Sequence, residues 1–305
     1  MCIRDRSNIS CGFDILGFPI HGPGDEIIAS FCDEPGIHIT EITGAKGRLP
    51  YETEKNTAGV AGLAVLKHLG KDKEVGIKFK LHKKMPFGSG MGSSAASAVA
   101  GAMAVNELLK KPLTKRELLP FASKGELLAS GGSVHLDNVA PSLIGGMVLV
   151  RSSEEFDVHR IFTQEGVYCT LIYPEIEILT AEARAILSDT VTLHNHVKQS
   201  ANLGGLILGM QRGDLDLVKR CLQDFIIEPQ RAKLIKGFYE VQAAALEAGA
   251  LGCSISGAGP SIYSLNANSL IAERVGEAMK AVYRKLGIKS KLFISAINHE
   301  GAIKL

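Results

Sequence analysis

The sequence predicts an α+β fold, with strands and helices segregated into layers instead of a doubly wound parallel sheet. Two observations carry this prediction: strand-like and helix-like runs are segregated along the chain, and no internal repeat or low-complexity tract interrupts them. The 305 residues suffice for two compact domains, and the hydrophobic content of 46% can build a sizeable core. We expect an ATP-binding domain over residues 1–151 and a second domain over residues 152–305, connected near residues 152–157.

The predicted first domain begins with two short strand patterns. Residues 25–30 and 36–42 are β-branched and bounded by proline and glycine, which predicts antiparallel strands. Residues 56–69 place apolar side chains at helical spacing and stop at Gly70, which predicts an amphipathic helix. Residues 76–82 alternate apolar and polar side chains, so we expect a half-buried strand there.

Small residues dominate the next segment, and residues 95–109 are predicted to form a closely packed helix. A further helix is predicted over residues 114–129, because Thr114 and Glu117 have the spacing of a capping box. Residues 147–151 have the pattern of a strand.

The predicted second domain continues with strands and longer helices. Strands are predicted at residues 167–173, 262–265 and 291–297. Helices are predicted at residues 180–187, 196–212, 215–224, 234–248 and 270–286.

Charge and hydropathy argue against several classes of function. The net charge of +2 gives no sign of a surface for nucleic acid or membrane, and no apolar run is long enough to span a bilayer. The basic pairs Lys83-Lys84 and Lys110-Lys111 are interpreted as solvated surface. Together with the absence of a secretory leader, this predicts a cytoplasmic protein without nucleic-acid or membrane partners. Scattered cysteines without a C-x-x-C pair are expected to be reduced thiols: Cys2, Cys11, Cys32, Cys169, Cys221 and Cys253.

The segment between the predicted strand and the small-residue helix has the chemistry of a phosphate site. Gly88, Gly90 and Gly92 lack Cβ atoms, so their backbone can take positive φ and approach a ligand closely. The following helix N-terminus presents unpaired amides and a positive dipole end, which favours an anion such as a triphosphate. Ser93 and Ser94 add hydroxyls for phosphate or Mg²⁺. The segment is neither a Walker loop nor a dinucleotide fingerprint, and a turn needing glycine for geometry alone stays an alternative.

Three separated segments resemble the motifs of GHMP kinases, the family of galactokinase, homoserine kinase, mevalonate kinase and phosphomevalonate kinase. PFGSGMGSSAA from Pro86 resembles the phosphate-binding motif, and SGAGPS from Ser256 resembles the third motif, which supports that loop. SNISCGFDILG from Ser7 resembles the first motif as the homoserine branch carries it. HLDNVAPSLIGG from His135 and EPQRAKLI from Glu228 are also similar to that branch, so the resemblance spans the chain from Ser7 onward.

The resemblance implies a fold and an activity. The implied fold has an N-terminal domain like ribosomal protein S5 and a C-terminal ferredoxin-like α/β sandwich. The implied activity is ATP-dependent phosphorylation of the side-chain hydroxyl of L-homoserine to O-phospho-L-homoserine in threonine biosynthesis, with ATP and Mg²⁺ as cofactors. Two alternatives stay open: another GHMP-type kinase for mevalonate or a sugar, and a catalytically inactive nucleotide-binding sensor. The expected partner is the small-molecule substrate, and a homodimer is left open.

The resemblance also implies roles for single residues. Residues implied to bind the nucleotide are Asn56 at the adenine pocket and, in the loop, Pro86, Gly88, Ser89, Gly90, Met91, Gly92, Ser93, Ser94 and Ala95. Residues implied to hold homoserine are Asn8, Asp14, His135, Asn138, Arg184, Arg231 and Gly257. Residues implied to bind Mg²⁺ are Ser94 and Glu126. Residues implied to act in catalysis are Asn138, Glu126 and Ser94, and we expect them to stabilise the transition state without a dedicated strong base.

Two departures from the family pattern stand near the N-terminus. Ser10 occupies a position where the first motif usually has glycine, which we expect to shift the backbone beside the substrate. Residues 1–6 show no strand alternation, although the family has a strand before its first motif. We therefore expect the N-terminal domain to lack an edge strand.

Overall fold

The computed structural model describes residues 2–4, 9–129 and 134–305. The strands in this part of the chain are β1 (Cys2–Arg4), β2 (Leu16–Gly17), β3 (Gly24–Cys32), β4 (Gly36–Thr43), β5 (Gly76–His82), β6 (Met147–Ser152), β7 (Asp157–Ile161), β8 (Tyr168–Pro174), β9 (Gly252–Ile255), β10 (Ile262–Asn266) and β11 (Ser290–Ala296). The α-helices are α1 (Thr57–His68), α2 (Ser93–Leu108), α3 (Leu119–Ala129), α4 (Leu136–Ile144), α5 (Thr180–Ala185), α6 (Leu193–Arg212), α7 (Leu215–Cys221), α8 (Glu228–Arg231), α9 (Phe238–Glu247) and α10 (Ser269–Lys285).

The first sheet has the strand order β1-β3-β5-β4. In β5 the apolar side chains of Ile77, Phe79 and Leu81 are buried, which confirms the alternation predicted for this strand. β5 pairs antiparallel with β3 and parallel with β4. The strands predicted at residues 25–30 and 36–42 therefore run antiparallel to each other, but they are not neighbours because β5 lies between them.

A strand at the N-terminus corrects the expectation that the edge strand is lost. β1 pairs antiparallel with β3, from Cys2 opposite Glu26 to Arg4 opposite Gly24. Three residues are too few to show an alternating pattern in sequence, and an edge strand needs backbone pairing on one side only.

Helices α1, α2 and α3 pack on one another, and α2 packs against β3 of this sheet. Residues 95–106 of α2 are buried in an unbroken run, because its small side chains let neighbouring elements approach closely. A Cβ on Gly101 would overlap the carbonyl oxygen of Ala58 in α1. The capping box predicted at Thr114 and Glu117 is formed, although the α-helix it precedes begins only at Leu119.

A second sheet, β11-β8-β10-β9, is antiparallel throughout. Helices α9 and α10 pack with it through a core that includes Phe238, Val241, Ile262, Met279 and Tyr283. This is the ferredoxin-like layer expected of the second domain. All five helices predicted after residue 180 are present, with ends shifted by a few residues.

A third sheet, β2-β6-β7, joins the two halves of the chain. The predicted domain boundary between residues 151 and 152 falls inside β6, which forms a hairpin with β7, and it remains a prediction. The sequence predicted neither β7 nor α4. None of the helices in the described ranges has the length and hydropathy of a membrane span.

Candidate active site

A cavity of about 600 Å³ opens where the ends of several elements meet. We call residues 86–94, which follow β5 and end in the first turn of α2, the glycine loop; much of it lines the cavity. Further polar and charged residues of the lining come from both halves of the chain: Asp14, Arg48, Thr57, Lys83, Ser97, Glu126, His135, Asn138, Glu177, Arg184 and Arg231. The fold thus brings together residues that are widely separated in sequence.

The glycine loop takes a left-handed conformation at all three alternating glycines. The φ angles of Gly88, Gly90 and Gly92 are +56°, +70° and +65°, where a side chain is strained. Gly92 immediately precedes α2, and Ser93 and Ser94, the first residues of that helix, both line the cavity. The positive end of the helix dipole therefore points towards the cavity, as an anion site requires.

The segment 256–261 supports the glycine loop from behind. Ser256 Oγ donates a hydrogen bond of 2.8 Å to the carbonyl oxygen of Gly90, and Ser261 N donates one of 3.2 Å to that of Ser89. A Cβ on Gly90 would overlap the carbonyl oxygen of Ser256, so the two segments touch through their backbones. This contact holds the loop in the shape that its glycines permit.

Lys83 corrects the interpretation of the pair Lys83-Lys84 as solvated surface. Lys83 is buried and forms an ion pair with buried Asp25, while Nζ also donates to Ser93 O at 2.6 Å and Ser97 Oγ at 2.8 Å. Lys84 is half-exposed and pairs with Glu26. The alternation of β5 could have revealed the difference, because Lys83 continues the buried face of the strand.

Glu126 and His135 contact each other in the cavity lining. Glu126 Oε1 lies 3.5 Å from His135 Nδ1, and both side chains are largely buried. The hydrogen bond with Glu126 raises the pKa of His135, against the opposing effect of burial. Glu126 Oε2 is buried and has no hydrogen-bond partner in the part of the chain that the structure describes.

Helix α4 places Asp137 and Asn138 behind this pair. Asn138 lines the cavity, and within the described ranges its buried Oδ1 has no hydrogen-bond partner, so it can serve a ligand. Asp137 is buried away from the cavity. Burial raises its pKa to about 7, with a further rise from Asp14 and a smaller opposing effect of His135. Sequence reasoning missed Asp137, since nothing in the motif indicates which of its polar side chains turns inward.

Arg184 and Arg231 are two cationic residues of the cavity lining. Arg184 Nη1 forms an ion pair of 2.9 Å with Asp14 Oδ2. Arg231 is buried, and it donates to Ala183 O at 3.0 Å and Gly257 O at 2.9 Å. Burial lowers the pKa of Arg231 to about 10, which leaves it protonated at neutral pH. The ring of Phe13 lies 5.7 Å from the Arg184 guanidinium and 4.7 Å from that of Arg231.

Two family models and several known proteins match this chain. The family model described as "GHMP kinases N terminal domain" matches residues 56–146, and the one described as "GHMP kinases C terminal" matches residues 206–285. The chain belongs to the GHMP kinase family. A homoserine kinase of Chlorobium phaeobacteroides (strain BS1) is 45% identical to this GHMP kinase over 97% of this chain and 95% of that protein. A homoserine kinase of Chloroherpeton thalassium is 42% identical, with the same coverage.

Solved structures agree with the family. The crystal structure of homoserine kinase from Cytophaga hutchinsonii superposes on this GHMP kinase with a TM-score of 0.95 and 47% identity, covering 98% of this chain and 94% of that one. A mevalonate kinase of L. major, at 18% identity and a TM-score of 0.72 over 95% and 90% of the two chains, shares the fold. The predicted α+β, two-domain fold is therefore confirmed.

Magnesium was expected at Ser94 and Glu126 of this GHMP kinase. The described residues contain no group of three or more histidine, cysteine, aspartate or glutamate side chains that could hold a metal. Mg²⁺ bound with a nucleotide needs fewer protein ligands, since phosphates and water complete its octahedron. The buried, unpartnered oxygen of Glu126 and the Ser94 hydroxyl line the same cavity and are the hard donors that Mg²⁺ prefers. These residues fit the ion.

Several predicted nucleotide residues do not reach the cavity with their side chains. Asn56 caps α1: its Oδ1 accepts from Ala58 N, and its Nδ2 donates to Pro50 O. Thr57, the next residue, lines the cavity instead. The cavity lining includes none of Pro86, Met91 and Ala95. These residues can therefore act only by shaping the backbone of the loop and packing behind it. Asn8 lies outside the described residues.

The sequence does not predict an ion pair between two residues of the cavity lining. Arg48 lies in the connection between β4 and α1, and Glu177 in the connection between β8 and α5. Neither belongs to a motif, and their contact joins positions 129 residues apart, which no local pattern indicates. Ser10, the departure from the first motif, has φ of +43°, so serine adopts the left-handed conformation that glycine would favour.

Proposed function

We propose that this GHMP kinase transfers the γ-phosphoryl group of ATP to the side-chain hydroxyl of L-homoserine, giving O-phospho-L-homoserine for threonine biosynthesis. The observation that carries the proposal is a single cavity lined both by an anion-binding loop and by Asp14, Arg184 and Arg231. The relatives at 42–45% identity are homoserine kinases, which supports the same substrate. We place the activity in the cytoplasm.

The nucleotide is expected to bind with its phosphates along the glycine loop. The amides at the start of α2 and the hydroxyls of Ser93 and Ser94 provide donors for phosphate oxygens. Ser94 and Glu126 would hold Mg²⁺, which when bound neutralises charge on the phosphates. The support from residues 256–261 keeps the loop amides oriented before the nucleotide arrives, so less order must be gained on binding.

The charged residues Asp14, Arg184 and Arg231 of the cavity suit an amino-acid zwitterion. A planar guanidinium binds a carboxylate through two parallel hydrogen bonds, and Arg184 and Arg231 both line the cavity. Arg184 is paired with Asp14, and a zwitterion can replace both partners at once, with its carboxylate on Arg184 and its ammonium on Asp14. Mevalonate and sugars have no ammonium group to take the place of Arg184 beside Asp14.

Catalysis is expected to rest on positioning and charge stabilisation. Asn138 offers an amide oxygen to orient the acceptor hydroxyl, and an amide is not a base. Asp137 is turned away from the cavity, so it does not contact the hydroxyl. We infer that the proton leaves late, or through the transferred phosphate, because phosphoryl transfer requires little covalent chemistry from the protein.

The test is ATP turnover with L-homoserine, L-threonine, mevalonate and galactose as acceptors, against a blank without acceptor. We expect transfer to L-homoserine at a kcat/KM at least about a hundredfold above the other acceptors. Preferred turnover of mevalonate or galactose would favour another GHMP-type kinase. ATP binding without transfer to any alcohol would favour an inactive sensor.

Two substitutions test the assigned roles within this reaction. Asn138→Ala is expected to lower kcat, and full turnover of this variant would refute the role given to Asn138. Arg231→Met is expected to raise the KM for L-homoserine about tenfold or more, with the KM for ATP unchanged, because it removes a charged ligand of the carboxylate. Light scattering of the same preparation would establish whether the kinase is a homodimer.

A further inference from the structure

An ion pair at the edge of the cavity joins the two halves of the chain. Arg48 Nη1 lies 2.8 Å from Glu177 Oε1, and both residues line the cavity. Their side chains are 49% and 51% exposed, so solvent reaches both. An exposed pair of this kind contributes little to stability and exchanges partners readily.

Glu177 sits against the glycine loop itself. Its Cγ lies 3.1 Å, and its Oε1 3.6 Å, from the position that a Cβ would take on Gly88. A carboxylate therefore occupies space beside a loop whose glycines and helix dipole favour an anion. The Glu177 carboxylate lies where an anionic group of a ligand would come near the loop, and Arg48 is the counter-ion of this carboxylate.

Arg48 is held on the same side by an aromatic ring. Its guanidinium lies 4.5 Å from the centre of the Phe87 ring, and Phe87 belongs to the glycine loop. Stacking on an aromatic ring orients the planar guanidinium without using its N–H donors. The Arg48 guanidinium thus donates to the carboxylate oxygen of Glu177 that lies 3.6 Å from the Cβ position of Gly88.

On the basis of the ATP site proposed above, we propose that Arg48 is a ligand of the nucleotide's phosphates and that Glu177 competes with them. In this structure the guanidinium is paired with Glu177. When ATP binds, the guanidinium exchanges this carboxylate for a phosphate, which it can bind through two hydrogen bonds. The negative charge of Glu177 opposes ATP binding, because it both occupies Arg48 and repels the triphosphate.

A purely structural role of the pair predicts a different result. If the ion pair only ties the two halves of the chain together, removing either partner should weaken ATP binding in the same direction. Exchange predicts opposite directions, since Arg48 favours the bound state and Glu177 opposes it. The sign of the Glu177 effect therefore separates the two explanations.

The experiment compares Arg48→Ala, Arg48→Lys and Glu177→Gln by calorimetric titration with ATP, ADP and adenosine. Arg151→Ala and Glu155→Gln are matched controls, because Arg151 and Glu155 form an exposed ion pair outside the cavity lining. Thermal unfolding of each variant checks that it is folded. The KM values for ATP and L-homoserine are measured on the same proteins.

We expect Arg48→Ala to raise the Kd for ATP about tenfold or more, and Arg48→Lys to raise it less. Glu177→Gln should lower the Kd for ATP about two- to fivefold. Adenosine binding and the KM for L-homoserine should be unchanged in all three, and the Arg151 and Glu155 controls should match the wild type.

Weaker ATP binding by Glu177→Gln would overturn the proposal, as would an equal loss of adenosine and ATP binding in Arg48→Ala. Wild-type protein that binds ATP but phosphorylates no acceptor would refute the proposed reaction alone, because the binding contrast between Arg48 and Glu177 is still measured. Wild-type protein that fails to bind ATP would refute both.

Discussion

Lys83 Nζ lies 2.6 Å from the carbonyl oxygen of Ser93, so the residue that follows β5 is joined directly to the first residue of α2. The same nitrogen is paired with Asp25 of β3 and bonded to Ser97 on the next turn of α2. Asp25 in turn accepts hydrogen bonds from the backbone of Lys84 and Met85 at 3.0 and 3.1 Å. A buried ion pair thus fixes the start of α2 relative to the first sheet.

Lys83→Met tests the role of the ion pair between Lys83 and Asp25. The substitution removes the cation and leaves the carboxylate of Asp25 buried without its counter-charge, so we expect the free energy of unfolding to fall by about 3–5 kcal/mol. Because Ser93 also loses its partner, the Kd for ATP should rise. Urea unfolding and ATP titration measure the two effects.

The neighbouring lysine supplies the control for that experiment. Lys84→Met removes an equal charge from a half-exposed pair with Glu26, so it should cost less than about 1 kcal/mol. Adding Asp25→Asn to Lys83→Met should recover part of the lost stability, because the uncompensated charge disappears. Equal stability of Lys83→Met and Lys84→Met would contradict the role of Lys83.

Local pattern predicted much of the fold, and its failures have physical causes. The strand over residues 76–82 was predicted with the observed bounds, because one of its faces is buried and the other is solvated. The sequence does not predict β7, since three of its five residues are polar: Asp157, His159 and Arg160. α4 was missed because it is short, contains Pro141 and lies within a segment interpreted as a motif.

Some residues of the candidate site could be predicted from local sequence, and others could not. The loop glycines and serines could be predicted because their residue types express local backbone geometry and helix-terminus chemistry. Arg48 and Glu177 could not, since an ion pair between two connections depends on how distant segments pack. Lys83 lies between these cases: its burial follows from the period of β5, but its partner Asp25 lies 58 residues away.

Gly90→Ala is predicted to damage the glycine loop more than its φ angle alone explains. Gly90 and Gly70 have similar φ angles, +70° and +66°. A Cβ on Gly90 would overlap Ser256 O and lie 2.7 Å from Gly259 O, whereas a Cβ on Gly70 would have no atom within 4 Å. Gly70→Ala therefore isolates the cost of the left-handed backbone, about 1–2 kcal/mol.

We expect Gly90→Ala to lose more stability than Gly70→Ala and to raise the Kd for ATP about tenfold or more, because the loop must move away from residues 256–261. Gly70→Ala should leave the Kd for ATP unchanged. Chemical unfolding and ATP titration of both variants provide the measurements. If the two variants behaved alike, the contact between the glycine loop and residues 256–261 would not be what shapes the site.

Asp137 is predicted to make the stability of this kinase fall as the pH rises from acidic to neutral. Burial, reinforced by Asp14 and partly opposed by His135, raises its pKa to about 7. In the unfolded chain an aspartate loses its proton near pH 4. Between these values the folded state holds a proton that the unfolded state has released, so the free energy of unfolding decreases with increasing pH and levels off above about pH 7.

Asp137→Asn should remove this dependence, because the amide keeps the size of the protonated carboxyl and cannot ionise. Each pH unit inside the window is worth up to about 1.4 kcal/mol, so between pH 5 and pH 7 the wild type should lose about 2 kcal/mol relative to the variant. Urea unfolding of both proteins at pH 5, 6, 7 and 8 measures the difference, in which the contributions of titratable groups distant from Asp137 cancel. Parallel curves would mean that Asp137 is ionised in the folded protein throughout this range, and that its burial is compensated by a partner the described residues do not reveal.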